Sequence, residues 1–358
     1  MKIKTLLSLF LVVILVFSLA ACGGQAAEEE GTSETATLTV VNWKDYGSDN
    51  ADFIAAFEAE NNCKIVHVYM SSEEELLTKL KTAKDGDIDV CLPNCTILPS
   101  AINDGLLLEL DPAKLTNFDS LYDRFKVQEE SFKDGKMYSV PWVWGSTAIA
   151  YNTDEIIDPP ASVSILFDPE YAGKIAIRDD FNDAVMLAAI VLGQDPNNPS
   201  DLDAIKAKLI EQKPLNKTYW KTGDEFSKLF AGNQVSVGLM WSGQAAFMKQ
   251  DGQPIGFVVP EDGAIGWVDT WGIAKGSQNP DLAYKFIDAV ISEEFQYNWA
   301  STGGPAPVNK EAGEQIDPAY AASCGMDEES LNRLYFMQYR TDDVKKAWNE
   351  LWTEVKAY

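Results

Sequence analysis

The chain has 358 residues, 46% apolar and 23% charged, a globular composition long enough for two domains and a core without disulfide staples. Its 29 Lys and Arg against 55 Asp and Glu give a net charge of −26, which excludes a basic nucleic-acid face and favours cationic partners through long-range steering, with solubility as the plain alternative. The single histidine, His67, excludes a His-rich zinc site and is the one residue a Ser-His-Asp triad could use.

Lys2 and Lys4 precede an apolar run from Leu6 to Leu19 that is too short for a mature membrane span and suits a signal peptide. The run ends in Leu19-Ala20-Ala21-Cys22, followed by Gly23-Gly24, and this resembles the lipobox of bacterial lipoproteins. The resemblance implies cleavage before Cys22 and lipidation of its thiol, so that the membrane is reached through an N-terminal lipid. Residues 1–22 read as the leader. Residues 23–36, small, polar and acidic, read as a flexible tether. Cys63, Cys91, Cys95 and Cys324 could form two disulfides in an exported chain, but Cys63 and Cys91 lie in apolar strand-like runs, which favours thiols packed as small hydrophobes. The spacing of Cys91 and Cys95 matches no metal site, and no metal or cofactor is expected.

Leu38 to Asn42 is predicted as a strand, and Ala51 to Glu60 as a helix with Phe53, Ile54 and Phe57 on one face. Cys63 to Met70 reads as a second strand. Ser72 and Glu75 form a capping box that opens a helix carrying Leu76, Leu77 and Leu80. Ile88 to Leu92 is a third strand, stopped by Pro93. The pattern restarts after Pro141, with strands at Thr147–Tyr151, Lys174–Arg178 and Val235–Met240, and helices at Asp183–Leu192, Gln244–Met248 and Asp281–Ile291. The segment Leu331 to Ala357 reads as helical, with Trp348, Leu351 and Val355 on one stripe. Short apolar strands between amphipathic helices predict an α/β fold with mostly parallel, two-sided sheets.

In such sheets ligands bind beyond the carboxyl ends of the strands. After the first strand come Trp43-Lys44-Asp45-Tyr46, and after the third Pro93-Asn94. After Lys174–Arg178 come Asp179, Asp180 and, one turn on, Asp183, and after Val235–Met240 come Trp241 and Ser242. Trp267 and Asp269, two apart, share one side of an extended chain. Aromatic faces and carboxylates without a nucleophile beside a base fit an organic cation. For any one Trp the competing reading is core packing, and for Asp179 or Asp180 it is a helix cap.

The stretches VVNWKDY (40–46), DGDIDVCLPN (85–94), LTNFDSL (115–121), YSVPWVWGSTAIAYN (138–152), GLMWSGQAAF (238–247) and GAIGWVDTWGIA (263–274) resemble, in this order, the spermidine/putrescine-binding proteins of bacterial ABC importers. The resemblance implies a two-lobed periplasmic-binding-protein-like fold, each lobe a mostly parallel sheet flanked by helices, with the ligand cleft between them. One lobe would comprise 37–142 and 271–303, the other 146–265 and 308–358, with crossovers near 142–146 and 266–272 acting as the hinge. Carried over residue by residue, it implies ligand contacts from Trp43, Asp45, Tyr46, Asn94, Asp180, Asp183, Trp241, Trp267 and Asp269, with Asp269 holding an amine. The family often has Glu where this chain has Asp183, and an aromatic where it has Cys95 and Thr96. Lys44 and Arg178 add cations near the expected site. The implied protein is a monomeric, extracytoplasmic polyamine carrier that serves a membrane permease, and not an enzyme. A receptor for another small cation or a zwitterion is the alternative within that class. A hydrolase using Asp180 and Asp183 as a carboxylate pair is the alternative outside it.

Overall fold

The computed structural model describes residues 35–358, so the expected leader, Cys22 and the tether as far as residue 34 lie outside the described residues. The strands, in chain order, are β1 (Ala36–Asn42), β2 (Cys63–Tyr69), β3 (Val90–Cys91), β4 (Phe132–Lys133), β5 (Lys136–Met137), β6 (Val140–Asn152), β7 (Ile175–Arg178), β8 (Asn216–Trp220), β9 (Val237–Trp241), β10 (Ile255–Val258), β11 (Ala264–Ile273), β12 (Ala306–Pro307) and β13 (Leu334–Phe336). All but the β4–β5 hairpin join one sheet ordered β2-β1-β3-β11-β6-β9-β7-β8, with β10 and β12 on β6 and β13 on β11. The strand–helix alternation is realised at both ends of this path, where β1 lies parallel to β2 and β3, and β7 parallel to β8 and β9.

Between those ends run two long strands that the local pattern under-reads. β6 extends from Val140 to Asn152, well beyond the expected Thr147–Tyr151, and pairs antiparallel with β11. Pro141 lies inside β6 and does not end the segment before it. It stands opposite Thr270, where the register shifts between Asp269 and Thr270, and a bulge is where a residue without an N–H fits a ladder. β3 is only two residues long. The segment expected to be helical from Leu331 instead forms β13, parallel to the start of β11, and the last helix begins at Asp342, capped by the Thr341 side chain. At the helix Glu73–Thr82 half of the capping box is made: the Ser72 hydroxyl accepts from Glu75 N–H, but the Glu75 carboxylate turns to the N–H and hydroxyl of Ser71.

The apolar faces fill the space between sheet and helices. Leu76 and Leu80 are buried in one cluster with the apolar residues of β1 and β3, while Ile177, Leu187, Trp348, Leu351, Trp352 and Val355 form part of a second cluster. Cys63, Cys91, Cys95 and Cys324 are buried free thiols. The C-terminal helix Asp342–Ala357 is tied down at one more point: Trp352 Nε1 donates to Asp179 Oδ1 at 2.9 Å, and Lys356 Nζ reaches the same oxygen at 2.6 Å. Trp352 is 2% exposed. Trp352→Ala removes a buried indole together with a partner of Asp179 and is expected to lower unfolding free energy by about 3–5 kcal/mol. Urea denaturation checks this, and a loss below about 1 kcal/mol would mean that the helix is not part of the core.

Candidate binding site

A tight turn carries the chain out of β1. Asn42 Nδ2 donates to Ser48 Oγ at 2.8 Å and to the Tyr46 carbonyl at 3.2 Å, and Asp49 accepts from the N–H groups of Asp45 and Tyr46 at 2.8 and 3.1 Å. Asp45 and Gly47 take positive φ values of 55° and 75°. At Gly47 a side chain would also meet the Trp299 indole at 2.7 Å, so glycine is required there. His67 Nε2 lies 3.2 Å from Ser48 Oγ. Ser48 is fully buried under the turn and shared with Asn42, so the pair braces the turn and presents no nucleophile.

The turn places the Tyr46 ring edge-on to Trp142 and Trp299, at 5.4 and 5.1 Å. Trp142 is itself fixed by stacking on Trp299 at 4.7 Å and by donating Nε1 to the Val290 carbonyl. So held, the Tyr46 hydroxyl donates to Asp269 Oδ2 at 2.7 Å. Asp269 lies on β11 and bridges to Asn94. The Asn94 N–H donates to Glu73 Oε2 at 3.1 Å, while Glu73 Oε1 is buried without a partner. Tyr46, Asp269, Asn94 and Glu73 thus form one group. Trp267, on the same side of β11, packs on Gly145, where even a methyl group would overlap its ring, and its Nε1 is buried without a partner.

A second group gathers at the end of β7. Arg178 Nη1 lies 3.3 Å from Asp183 Oδ2 and 3.7 Å from Asp180 Oδ2, and the guanidinium carbon stands 4.9 Å over the Trp241 ring. Asp180 also caps the helix Phe181–Val191 by accepting from the N–H groups of Asn182 and Asp183. Trp241 is propped edge-on by Trp220 at 5.0 Å.

Of the sequence-predicted residues, the structure brings Tyr46, Asn94 and Asp269 into the first group and Asp180, Asp183 and Trp241 into the second, with Trp267 beside Asp269 on β11. The Asn94 side chain serves its own loop, accepting from the N–H and hydroxyl of Thr96. Trp43 is half-buried at the edge of the core. Asp45 is not brought in: its side chain is 84% exposed and 3.7 Å from the also exposed Lys44, because the positive-φ turn faces it outward. Of the two nearby cations, only Arg178 joins the site. Glu73 was not among the expected contacts. The residues that follow the second strand, Ser71, Ser72 and Glu73, carry the same strand-end signal as those after the first and third.

Burial dominates the electrostatics. It raises the Asp269 carboxyl to about 6, with the Tyr46 hydrogen bond pulling it back down. It raises Glu73 well above the carboxylate range, aided by the Asp269 charge, and lifts the Tyr46 hydroxyl in the same way. Asp183 rises to about 6 by burial, opposed by Arg178. A site that resists ionising its own carboxyls when empty is one that a cation completes. The sign for stability follows. A carboxyl raised on folding from 3.8 to about 6 contributes stability fully below about pH 3.8, and that contribution is lost as pH rises through about 6. The protein without ligand is expected to lose up to roughly 3 kcal/mol from Asp269 between about pH 4 and pH 7. Melting curves of wild type and Asp269→Asn across this range check it: the substitution should flatten the slope, and parallel profiles would remove Asp269 as its source.

The chain matches, over residues 52–327, the family model described as bacterial extracellular solute-binding protein. It is 28% identical over 331 residues to the spermidine/putrescine-binding periplasmic protein of Salmonella typhimurium, covering 91% of this chain and 93% of that protein. It is 29% identical over 367 residues to the putrescine/cadaverine-binding protein of Pseudomonas aeruginosa, covering 96% and 98%. Among solved structures, an ABC transporter protein from Listeria monocytogenes superposes with a TM-score of 0.78 at 30% identity, over 90% of this chain and 99% of that one. The chain belongs to the bacterial extracellular solute-binding protein family.

Proposed function

We propose that the protein captures a polyamine outside the cytoplasm and delivers it to the permease of an ABC importer. The observation that carries this reading is the Tyr46–Asp269–Glu73 group, two buried carboxyls with a free oxygen aimed at no protein partner and an aromatic wall beside them. An alkylammonium supplies the missing donors and charge, and its methylenes suit the Trp267 face. The names of the Salmonella and Pseudomonas relatives support the same ligand class. Residues 37–142 with 271–303, and 146–265 with 308–358, act as two lobes that close over the ligand about β6 and β11. The protein works as a monomer and as a carrier without catalysis. Asp180 and Asp183, the pair a hydrolase would need, are engaged by Arg178 and a helix cap. Arg178 also motivates a second reading, a zwitterion whose carboxylate meets the guanidinium. That reading ranks lower because both partners of Arg178 are already carboxylates.

Two measurements test the proposal. In calorimetry, putrescine or spermidine should bind the wild type, and Asp269→Asn, which keeps the shape but removes the charge, should weaken binding by roughly 2–5 kcal/mol. An unchanged affinity in a normally melting variant would shift the amine contact away from Asp269. The membrane tie is the lipid on Cys22. Cys22→Ala should leave the protein soluble or unprocessed, whereas retention in the membrane fraction after leader cleavage would mean another anchor.

A further inference from the structure

We propose that Arg178 is a resident cation standing in the place of a ligand ammonium, so that the site selects a dication over a trication. The inference rests on the polyamine reading above and names the member of that class.

An ammonium in the second group would seek two features, a buried carboxylate and an indole face. Arg178 already uses both. Its guanidinium lies 3.3 Å from Asp183, whose side chain is 2% exposed, touches Asp180 at 3.7 Å, and covers the Trp241 ring at 4.9 Å. A guanidinium is never neutral in a protein, and it holds carboxylates with a rigid fork, so a ligand ammonium does not displace it cheaply. The neighbouring Arg340 gives its terminal nitrogens to the Gln338 carbonyl and Asn197 and its face to Trp348, while its Nε is buried without a partner and its charge also favours ionised Asp183. The charge-bearing positions left for a ligand are therefore the Tyr46–Asp269–Glu73 end and the Asp180 carboxylate, whose side chain is a quarter exposed, its Oδ1 capping the helix and its Oδ2 only 3.7 Å from Arg178. One ammonium fits the first and a second fits the other. In this set no carboxylate remains for a third, and Arg178 repels it. The Arg178 charge favours the ionised form of Glu73 and the Glu73 charge that of Arg178, so the fixed cation is felt at the Glu73 end as well.

The test is calorimetry with putrescine, a dication, and spermidine, a trication, on wild type, Arg178→Gln and Arg178→Lys. The wild type should bind putrescine at least tenfold more tightly than spermidine. Arg178→Gln should move that ratio toward spermidine by at least tenfold, and Arg178→Lys, which keeps the charge, should retain the diamine preference. A ratio unchanged in Arg178→Gln, with both amines still bound, overturns the role of Arg178 and leaves the polyamine reading standing. If Arg178→Gln does not fold, a wild type that prefers spermidine overturns it equally. If neither amine binds the wild type, the polyamine reading falls and this inference falls with it.

Discussion

Both strands of the β6–β11 pair are buried along their whole length, so each backbone donor and acceptor needs a partner within the protein. That requirement meets an obstacle at Pro141, which has no N–H to offer Thr270. The ladder bulges there, while on its other edge β11 continues its antiparallel pairing past β3, Thr270 donating both its N–H and its hydroxyl to the Pro93 carbonyl, at 3.2 and 2.7 Å. Pro93 is thereby docked on β11, its neighbour Asn94 is set against Asp269, and the Asn94 N–H is left to receive Glu73. The β3–β11 register, carried past Cys91 to Asn94, thus sets the placement of two buried carboxyls that are far apart in sequence.

The two acidic groups meet the cost of burial in different ways. Asp183 is compensated internally by Arg178, at the expense of freedom for both side chains. Asp269 and Glu73 have only a phenol and one backbone amide as hydrogen-bond donors between them, and burial favours their neutral forms, which the Arg178 charge offsets only in part at Glu73. Stability and recognition draw on the same residues in opposite directions, as expected where a binding site is pre-organised before its ligand arrives.

Local pattern reveals much of this and conceals a definite remainder. Strand alternation alone places Trp267 and Asp269 on one side of β11, and the residues following β1 and β7 supply Tyr46 and Asp180. Asp183, Asn94 and Trp241 are found by the same strand-end logic. Glu73 is hidden because it opens a helix in a run of three glutamates, where an acid favours the helix dipole wherever it points; only the Pro93–Asn94 loop, docked through β11, buries it. Pro141 misleads because a proline inside a central strand is tolerated only at an irregularity, and the extra residue of that irregularity, Trp142, shows only in the pairing with β11. Leu334–Phe336 becomes a strand because the start of β11 offers it an edge, a tertiary opportunity without a local signal. Asp45 follows the same aromatic cluster as Tyr46, yet the sign of one backbone angle sends it to solvent.

The buried cysteines bear on how the molecule endures its surroundings. Burial raises the proton affinity of Cys63, Cys91, Cys95 and Cys324 alike. The thiolate is the species that attacks disulfides and is itself oxidised, so these sulfurs are chemically silent while the fold is intact. A domain held without covalent cross-links among its described residues neither waits on an oxidant to mature nor falls apart in a reducing milieu. Its redox vulnerability is confined to the moments when it unfolds.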